Sequence, residues 1–591
     1  MLLGFWDWLS IVAFFVFSLV VGVVVARKAG TNTQEYFTGG RSMPWWLLGI
    51  SMVATTFSAD TPNLVTDIVR NHGVAGNWMW WSFLLTGMLT VFVYARLWRR
   101  SGVLTDIEFY ELRYSGKSAA FLRGFRAIYL GIVFNVFVMA SVSLAAIKIG
   151  NVLLGIEPIY TVLIAGIVTV IYSSLGGLRG VLITDFVQFI LAMIGSVAAA
   201  YVALQQPEVG GLSGLLAHEN VQQSLSFFPS TEDPDWWSIA VIPLMIAWWS
   251  VWYPGAEPGG GGYVAQRMLA AKNEDNAVGA VFLFNAVHYA VRPWPWIIVA
   301  LCSMIVFPNL ESLHAAFPNS TELVGNDMAY PAMLTFLPPG LLGLTAASLI
   351  AAYMSTISTH LNWGSSYVVH DFYKRFVREK SSEKEQVMVG RLCTFVLMLL
   401  SGALAISMET ALGNFQIILQ IGAGTGLIFI LRWFWWRINS ASEIAAMVFS
   451  FLVAIYFRLV HPHTGLPQFD ASQELVLGVF LTTVGWMIVT FLTKPTDRET
   501  LIEFCKIVRP GGPGWKALES DLPEMGPEAP PATWPVPQEL FCMVLGCVCV
   551  YSVLFATGYL IVQNVLGAVI GFVVACVTGL LLVRFWRSLP R

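Results

Sequence analysis

Charge is what this sequence has least of. Asp, Glu, Lys and Arg make up 12% of its 591 residues, 56% are hydrophobic, and the mean hydropathy is +0.68. Soluble domains carry about 25% charged residues, so an ordinary soluble enzyme or nucleic-acid binder is excluded. The seven cysteines (Cys302, Cys393, Cys505, Cys542, Cys547, Cys549 and Cys576) form no Cys-x-x-Cys pair and sit mostly in apolar runs. They read as structural thiols, with no Cys/His metal motif beside them. No nucleophile-and-base constellation is evident, which disfavours a membrane-embedded enzyme. The opening MLLGFWDWLS has no Lys or Arg ahead of its apolar run; a secretory signal would begin with a basic region, so a retained helix is expected.

Long apolar runs are what the chain does have. Fifteen spans of membrane-crossing length are expected, near residues 4–26, 45–69, 75–97, 123–150, 158–174, 180–204, 237–258, 278–307, 332–369, 387–408, 412–436, 441–460, 473–493, 538–562 and 565–586. With the N-terminus outside, every Lys and Arg except Arg70, Lys148, Arg292 and Arg458 falls on the cytoplasmic side. The loops 205–235 and 308–327, on the opposite side, contain neither residue. That asymmetry predicts an N-out, C-in topology. The segment 494–537, with PGGPG and PEAPPATWPVPQ, reads as a cytoplasmic linker, and no appended signalling module is expected.

Two spans are interrupted. The second breaks in TTFSADTPN (Thr55 to Asn63), and the seventh ends in WYPGAEPGGGG (Trp252 to Gly262). The two spans run in opposite directions, and paired breaks of this kind free carbonyls and helix ends for a midplane site in a transporter. A re-entrant or flexible connector is the alternative for the glycine run.

The stretch Leu349 to Phe376 keeps its oxygens together. At about 100° per residue, Ala352, Ser355, Thr356, Thr359 and Asn362 form one stripe with Ser358 at its edge. Such a stripe can offer oxygens to a dehydrated hard cation. Back-bonding to the preceding turn and close helix packing would use the same residues.

Ionisable residues within spans are costly and mark function. Here they are Asp60 at the first break, Asp185, Glu257 in the glycine-rich break, and Arg292. Asn285, His288 and Arg292 share one helix face. Either they form a polar wall for a solute, or Arg292 neutralises Asp60 or Glu257; the second is expected, because an unpaired buried guanidinium is expensive. His288 alone reads as a hydrogen-bonded core residue. Asn77 and Trp80 stand near the first break, among Trp78 and Trp81. Trp236 and Trp237 suit an interfacial belt, whereas Trp248, Trp249 and Trp252 lie deeper and could stack on a solute.

Three runs carry a family resemblance: IAAYMSTISTHLN followed by VVHDFYKRF, YSSLGGLRGVLITDFVQ (Tyr172 to Gln188), and VAQRMLAAKNEDNA (Val264 to Ala277). In this order they resemble the sodium:solute symporter family of sodium-coupled sugar, proline and sialic acid transporters, over roughly residues 4 to 460. The resemblance implies an all-α polytopic membrane protein with a leucine-transporter-like 5+5 inverted-repeat core and about 15 helices. Its parts would be an N-terminal helix and linker (1–43), two five-helix repeats (44–204 and 205–436), peripheral helices (437–493), the cytoplasmic loop (494–537) and two last helices (538–591).

The resemblance also implies Na⁺ as the coupled ion, held by the carbonyls of Ala54, Phe57 and Ala352 and the hydroxyls of Ser355 and Thr356. A second Na⁺ would use Asp185, Ser358 and Thr359 and share Ser355. Gln420 falls where sugar-type relatives place a binding glutamine, but Thr61 and His288 stand where a glutamine and a lysine are expected. The implied function is Na⁺-driven symport of a small polar solute, a sugar or other neutral hydroxylated compound, at the inner or plasma membrane. The alternatives are an organic anion or an amino acid as the solute, and less readily a channel or a sodium sensor.

Overall fold

A computed structural model describes residues 3–30, 32–56, 58–154, 157–232, 235–250, 257–317, 325–407, 425–521 and 534–589. The apolar runs become helices because a backbone without water partners must satisfy its N–H and C=O groups internally. Among the described residues there is no strand, only an isolated bridge between Met43 and Ala271. Eleven helices among them are long and apolar enough to cross a membrane.

The first is α1 (Phe5–Ala29), whose Phe5, Val12, Val20 and Val24 are exposed as a lipid-facing side. The second expected span divides into α2 (Trp45–Thr56) and α3 (Thr61–His72). Pro62 sits in the first turn of α3, where its missing N–H costs nothing and its fixed φ favours a new start. Next come α4 (Val74–Ser101) and α5 (Gly116–Ile147).

The expected fifth and sixth spans appear as one helical run, α6 (Pro158–Leu204), bent at Gly177 with φ 53° and ψ −157°. A Cβ on Gly177 would lie 2.6 Å from the Tyr36 carbonyl, so backbone conformation and contact both require glycine. The expected seventh span consists, over its described part, of short turns between Trp237 and Trp249. After the glycine run the chain resumes as α7 (Gly262–Ala270). Following it are α8 (Glu274–Val306), α9 (Leu341–Val377), α10 (Glu383–Ser407), α11 (Ser440–His463), α12 (Ser472–Leu492), α13 (Val536–Ile561) and α14 (Val565–Arg587). Most of the expected eleventh span, 412–436, lies outside the described residues.

α9 is the axis of the packing. It lies along α6, touches α1, α2 and α5, and carries the oxygen-bearing stripe, with Ser355, Thr356, Ser358, Thr359 and Asn362 all buried. Its N-terminus is held by Asp7 of α1, whose carboxylate accepts from Gly340 N at 2.7 Å, Gly343 N at 2.5 Å and Gly4 N at 2.7 Å. A Cβ on Gly343 would come within 2.0 Å of the Asp7 Cα, so glycine permits this approach.

Basic residues towards the ends of α4, α5 and α9 are paired with acidic ones. Arg123 bonds Asp371 and Glu111, Arg375 bonds Glu111, and Arg100 bonds Glu274.

Candidate ion and solute site

An α-helix leaves its last four carbonyls without intrahelical donors. In α2 these are the carbonyls of residues 53–56, and the structure supplies donors from two other helices. Arg292 of α8 donates to Val53 O at 2.9 Å and to Thr56 O at 3.0 Å. Thr356 of α9 donates to Thr55 O at 2.8 Å and lies 3.2 Å from Ala352 O in its own preceding turn. These donors leave the Ala54 carbonyl, one of those assigned to sodium. Phe57, the other assigned carbonyl on this segment, lies outside the described residues.

Arg292 keeps its expected attraction to Asp60 and has further partners that the sequence did not show. Its fork meets the carbonyl end of a broken helix, where the dipole is negative, and its face lies 5.0 Å from the centre of the Trp296 ring. A bidentate hold on two carbonyls suits a planar guanidinium.

The other half of the hydroxyl stripe turns towards α6. Ser355 donates to Asp185 Oδ1 at 2.7 Å, and Ser51 to Asp185 Oδ2 at 2.5 Å. Thr359 shares a 2.9 Å hydroxyl contact with Thr55 and accepts from Arg267 Nη2 at 2.8 Å. Ser358 donates back to the Ser355 carbonyl at 3.1 Å, as a packing hydroxyl does. Arg267 is fully buried beside Asp185, 3.8 Å away. Read along the chain, Arg267 resembled one more cytoplasmic loop cation; only the fold reveals it as interior.

Between the two breaks lies a cavity of about 230 Å³. Asp60, Thr61, Trp80, Glu257, His288 and Arg292 line it, as the sequence led us to expect of a solute site. Tyr263, Tyr289, Thr86, Phe284 and Asn285 line it too. Proline at 293 and 295 explains part of this set: the turn before them, Val287–Val291, widens into a π-helical turn, which brings Tyr289 to the cavity together with Asn285, His288 and Arg292. His288 Nδ1 lies 3.2 Å from the Thr56 hydroxyl. Trp80 stacks on Tyr289 at 5.8 Å and donates its indole N–H to Asn77 Oδ1 at 2.8 Å. Asn77 thus positions Trp80 from behind the wall and is absent from the cavity lining. The Asn285 Oδ1 and Thr86 hydroxyl oxygens are buried at the cavity without a hydrogen-bond partner among the described residues.

Trp248 is a correction. It is half-buried against the core, in the turn Ala247–Trp249, and is absent from the cavity lining among the described residues. Trp252 and Gln420 lie outside the described residues.

A model of the sodium:solute symporter family matches residues 36–449. The chain belongs to the sodium:solute symporter family. A sodium/glucose cotransporter of Vibrio parahaemolyticus is 25% identical over 477 residues, covering 76% of this chain and 86% of that one. A sodium/mannose cotransporter of Bos taurus is 24% identical, covering 87% and 89%. Among solved structures, a Na⁺-coupled sialic acid symporter in a substrate-bound outward-open state aligns with TM-score 0.66 at 20% identity, covering 84% of this chain and 99% of that one. That likeness shows the fold, the leucine-transporter-like helical core. This symporter is therefore a multi-pass integral membrane protein that uses Na⁺, a transporter and not an enzyme.

Proposed function

We propose that the protein imports a small neutral hydroxylated solute, a sugar or polyol, with Na⁺ bound between the end of α2 and the stripe of α9. The observation that carries the solute class is the make-up of the cavity. Its guanidinium, Arg292, is committed to two helix carbonyls. The other charged side chains on the wall are the carboxylates Asp60 and Glu257. Arg292 attracts Asp60 and Arg126 attracts Glu257, so an anionic solute would have to compete with those carboxylates for the positive charge at the wall. Hydroxyls can donate to Asp60, Glu257 and Asn285 Oδ1, and the rings of Trp80, Tyr263 and Tyr289 suit the apolar face of a sugar ring. The relatives named for glucose and mannose support the same class.

The sodium reading is supported by Thr356, whose hydroxyl lies 2.8 Å from Thr55 O at the end of α2 and 3.2 Å from Ala352 O, so that neutral oxygens of two helices meet there, as suits an ion that must also leave. Ion and solute binding would bias the outward state towards loading, and rearrangement of the bundle would release both to the cytosol.

The test is a thermal-shift screen of purified protein against sugars, polyols, carboxylates and amino acids, with and without Na⁺, followed by uptake into proteoliposomes. A Na⁺-dependent shift with a sugar or polyol, weakened about tenfold in apparent affinity by Asn285→Ala, is expected. A shift confined to carboxylates makes this an organic-anion symporter.

A further inference from the structure

α13 lies beyond residue 449, where the family match ends, and none of its residues is among the described residues that line the cavity. It is built instead onto the back of the cavity wall. Besides α14, it packs on α4 between Leu84 and Tyr94 and on the widened turn Val287–Val291 of α8.

Two hydrogen bonds fix α13 there. In a regular α-helix the Trp81 carbonyl would accept from the Leu85 N–H, but α4 tightens at this point and Leu85 donates to Ser82 O at 3.1 Å. The Tyr551 hydroxyl of α13 donates to Trp81 O at 2.7 Å and so supplies the donor that the tightened turn withdraws. From α8, Trp294 donates its indole N–H to Leu554 O at 3.0 Å. Its ring sits against Gly558, where a Cβ would lie 2.3 Å from it. Tyr551, Leu554 and Gly558 stand at i, i+3 and i+7, so one face of α13 makes both ties.

Both ties end beside the stacked pair of the wall. Trp80 adjoins Trp81, and Tyr289 belongs to the widened turn that precedes Trp294; the two rings stack at 5.8 Å and both line the cavity. A stack of this kind holds only while the helices that carry its rings keep their separation and rotation. A third helix bonded to both fixes that relation.

We infer that α13 is a positioning element for solute binding and Tyr551 its principal residue: without touching the solute, the hydroxyl holds Trp81 and thereby sets Trp80 against Tyr289. This rests on the cavity being the solute site. Loss of the hydroxyl therefore weakens solute binding and leaves Na⁺ binding at the end of α2 as it was.

The experiment is Na⁺-driven uptake by proteoliposomes holding the full-length protein, with D-glucose and D-mannose as probes. Where neither is carried, the compound of the screening panel with the largest Na⁺-dependent thermal shift replaces them. Tyr551→Phe keeps the ring and removes one oxygen atom. The apparent solute constant should rise about fivefold, with the maximal rate and solute-free Na⁺ binding as in wild type. Asp7→Asn, which loosens α1 at a distance, should leave the solute constant where it is, and this separates positioning from a general loss of stability. Trp80→Phe should raise the constant, and adding Tyr551→Phe to it should raise it little further, because the hydroxyl acts through Trp80. An unchanged constant in Tyr551→Phe overturns the inference, and so does a full fivefold rise on top of Trp80→Phe. If Tyr551→Phe does not fold, Trp294→Phe, which removes the other tie, is measured against the same two outcomes. Failure of the cavity as the solute site shows separately, as a solute constant unmoved by both Trp80→Phe and Asn285→Ala.

Discussion

The Arg292 guanidinium donates to the Thr56 carbonyl at 3.0 Å and so ties α8 to the broken end of α2. With the Val53 carbonyl at 2.9 Å on its other arm, it stands in for the helical turn that α2 does not continue. The proposed sodium carbonyls and the cavity lie at that end of the helix, so this one side chain would couple their geometry.

Arg292→Gln removes the charge and leaves two carbonyls under-satisfied, at a cost of about 2–4 kcal/mol. The expected outcome is a lower melting temperature and weaker Na⁺ activation, with the order of preferred solutes unchanged. Uptake by proteoliposomes over a panel of solutes checks this. Selective loss of carboxylate uptake, with Na⁺ binding intact, would mean that Arg292 recognises the solute directly.

Thr356 bridges α9 to the Thr55 carbonyl at 2.8 Å. Thr356→Ala deletes the proposed oxygen ligand together with a buried methyl group, so the Na⁺ concentration for half-maximal uptake should rise about tenfold. Thr356→Ser should stay close to wild type. Equal Na⁺ dependence in all three proteins removes Thr356 from the ion site.

Asp7 joins α1 to the first turn of α9 through three backbone N–H groups. Asp7→Asn weakens charge-assisted bonds at a helix N-terminus and should cost about 1–3 kcal/mol. The readout is the thermal midpoint in detergent. Na⁺ affinity should change little, because the residue is remote from the stripe; an unaltered midpoint would show that α1 is not anchored there.

The basic residues paired with Glu111, Glu274 and Asp371 are among those that charge asymmetry assigns to the cytoplasm. A C-terminal fluorescent fusion should therefore be bright and a C-terminal phosphatase fusion inactive in a bacterial host. The reverse pair would invert the topology.

The class of the protein, the break between α2 and α3 and the hydroxyl stripe were legible in the sequence, because each depends on local chemistry. Apolar runs must form helices in lipid, proline and glycine interrupt them where they stand, and a 3.6-residue period puts Ser355, Thr356 and Thr359 on one face whatever surrounds them. The partners of the buried cations were not legible. Arg267 meets Ser51 across 216 positions of chain and Arg292 meets Thr56 across 236, and a hydrogen bond forms only when helix rotation and approach are right to within about an ångström. Periodicity leaves that unspecified. The chain's own order offered Asp60 and Glu257 to Arg292 but not the two carbonyls that hold its fork, and it showed Arg267 as a loop residue. The packing of α2, α6, α7, α8 and α9 decided instead that one arginine closes a broken helix and the other neutralises Asp185. It also brought Tyr289, through the widened turn Val287–Val291, and Thr86 of α4 to the cavity, where spacing had announced only Asn285, His288 and Arg292.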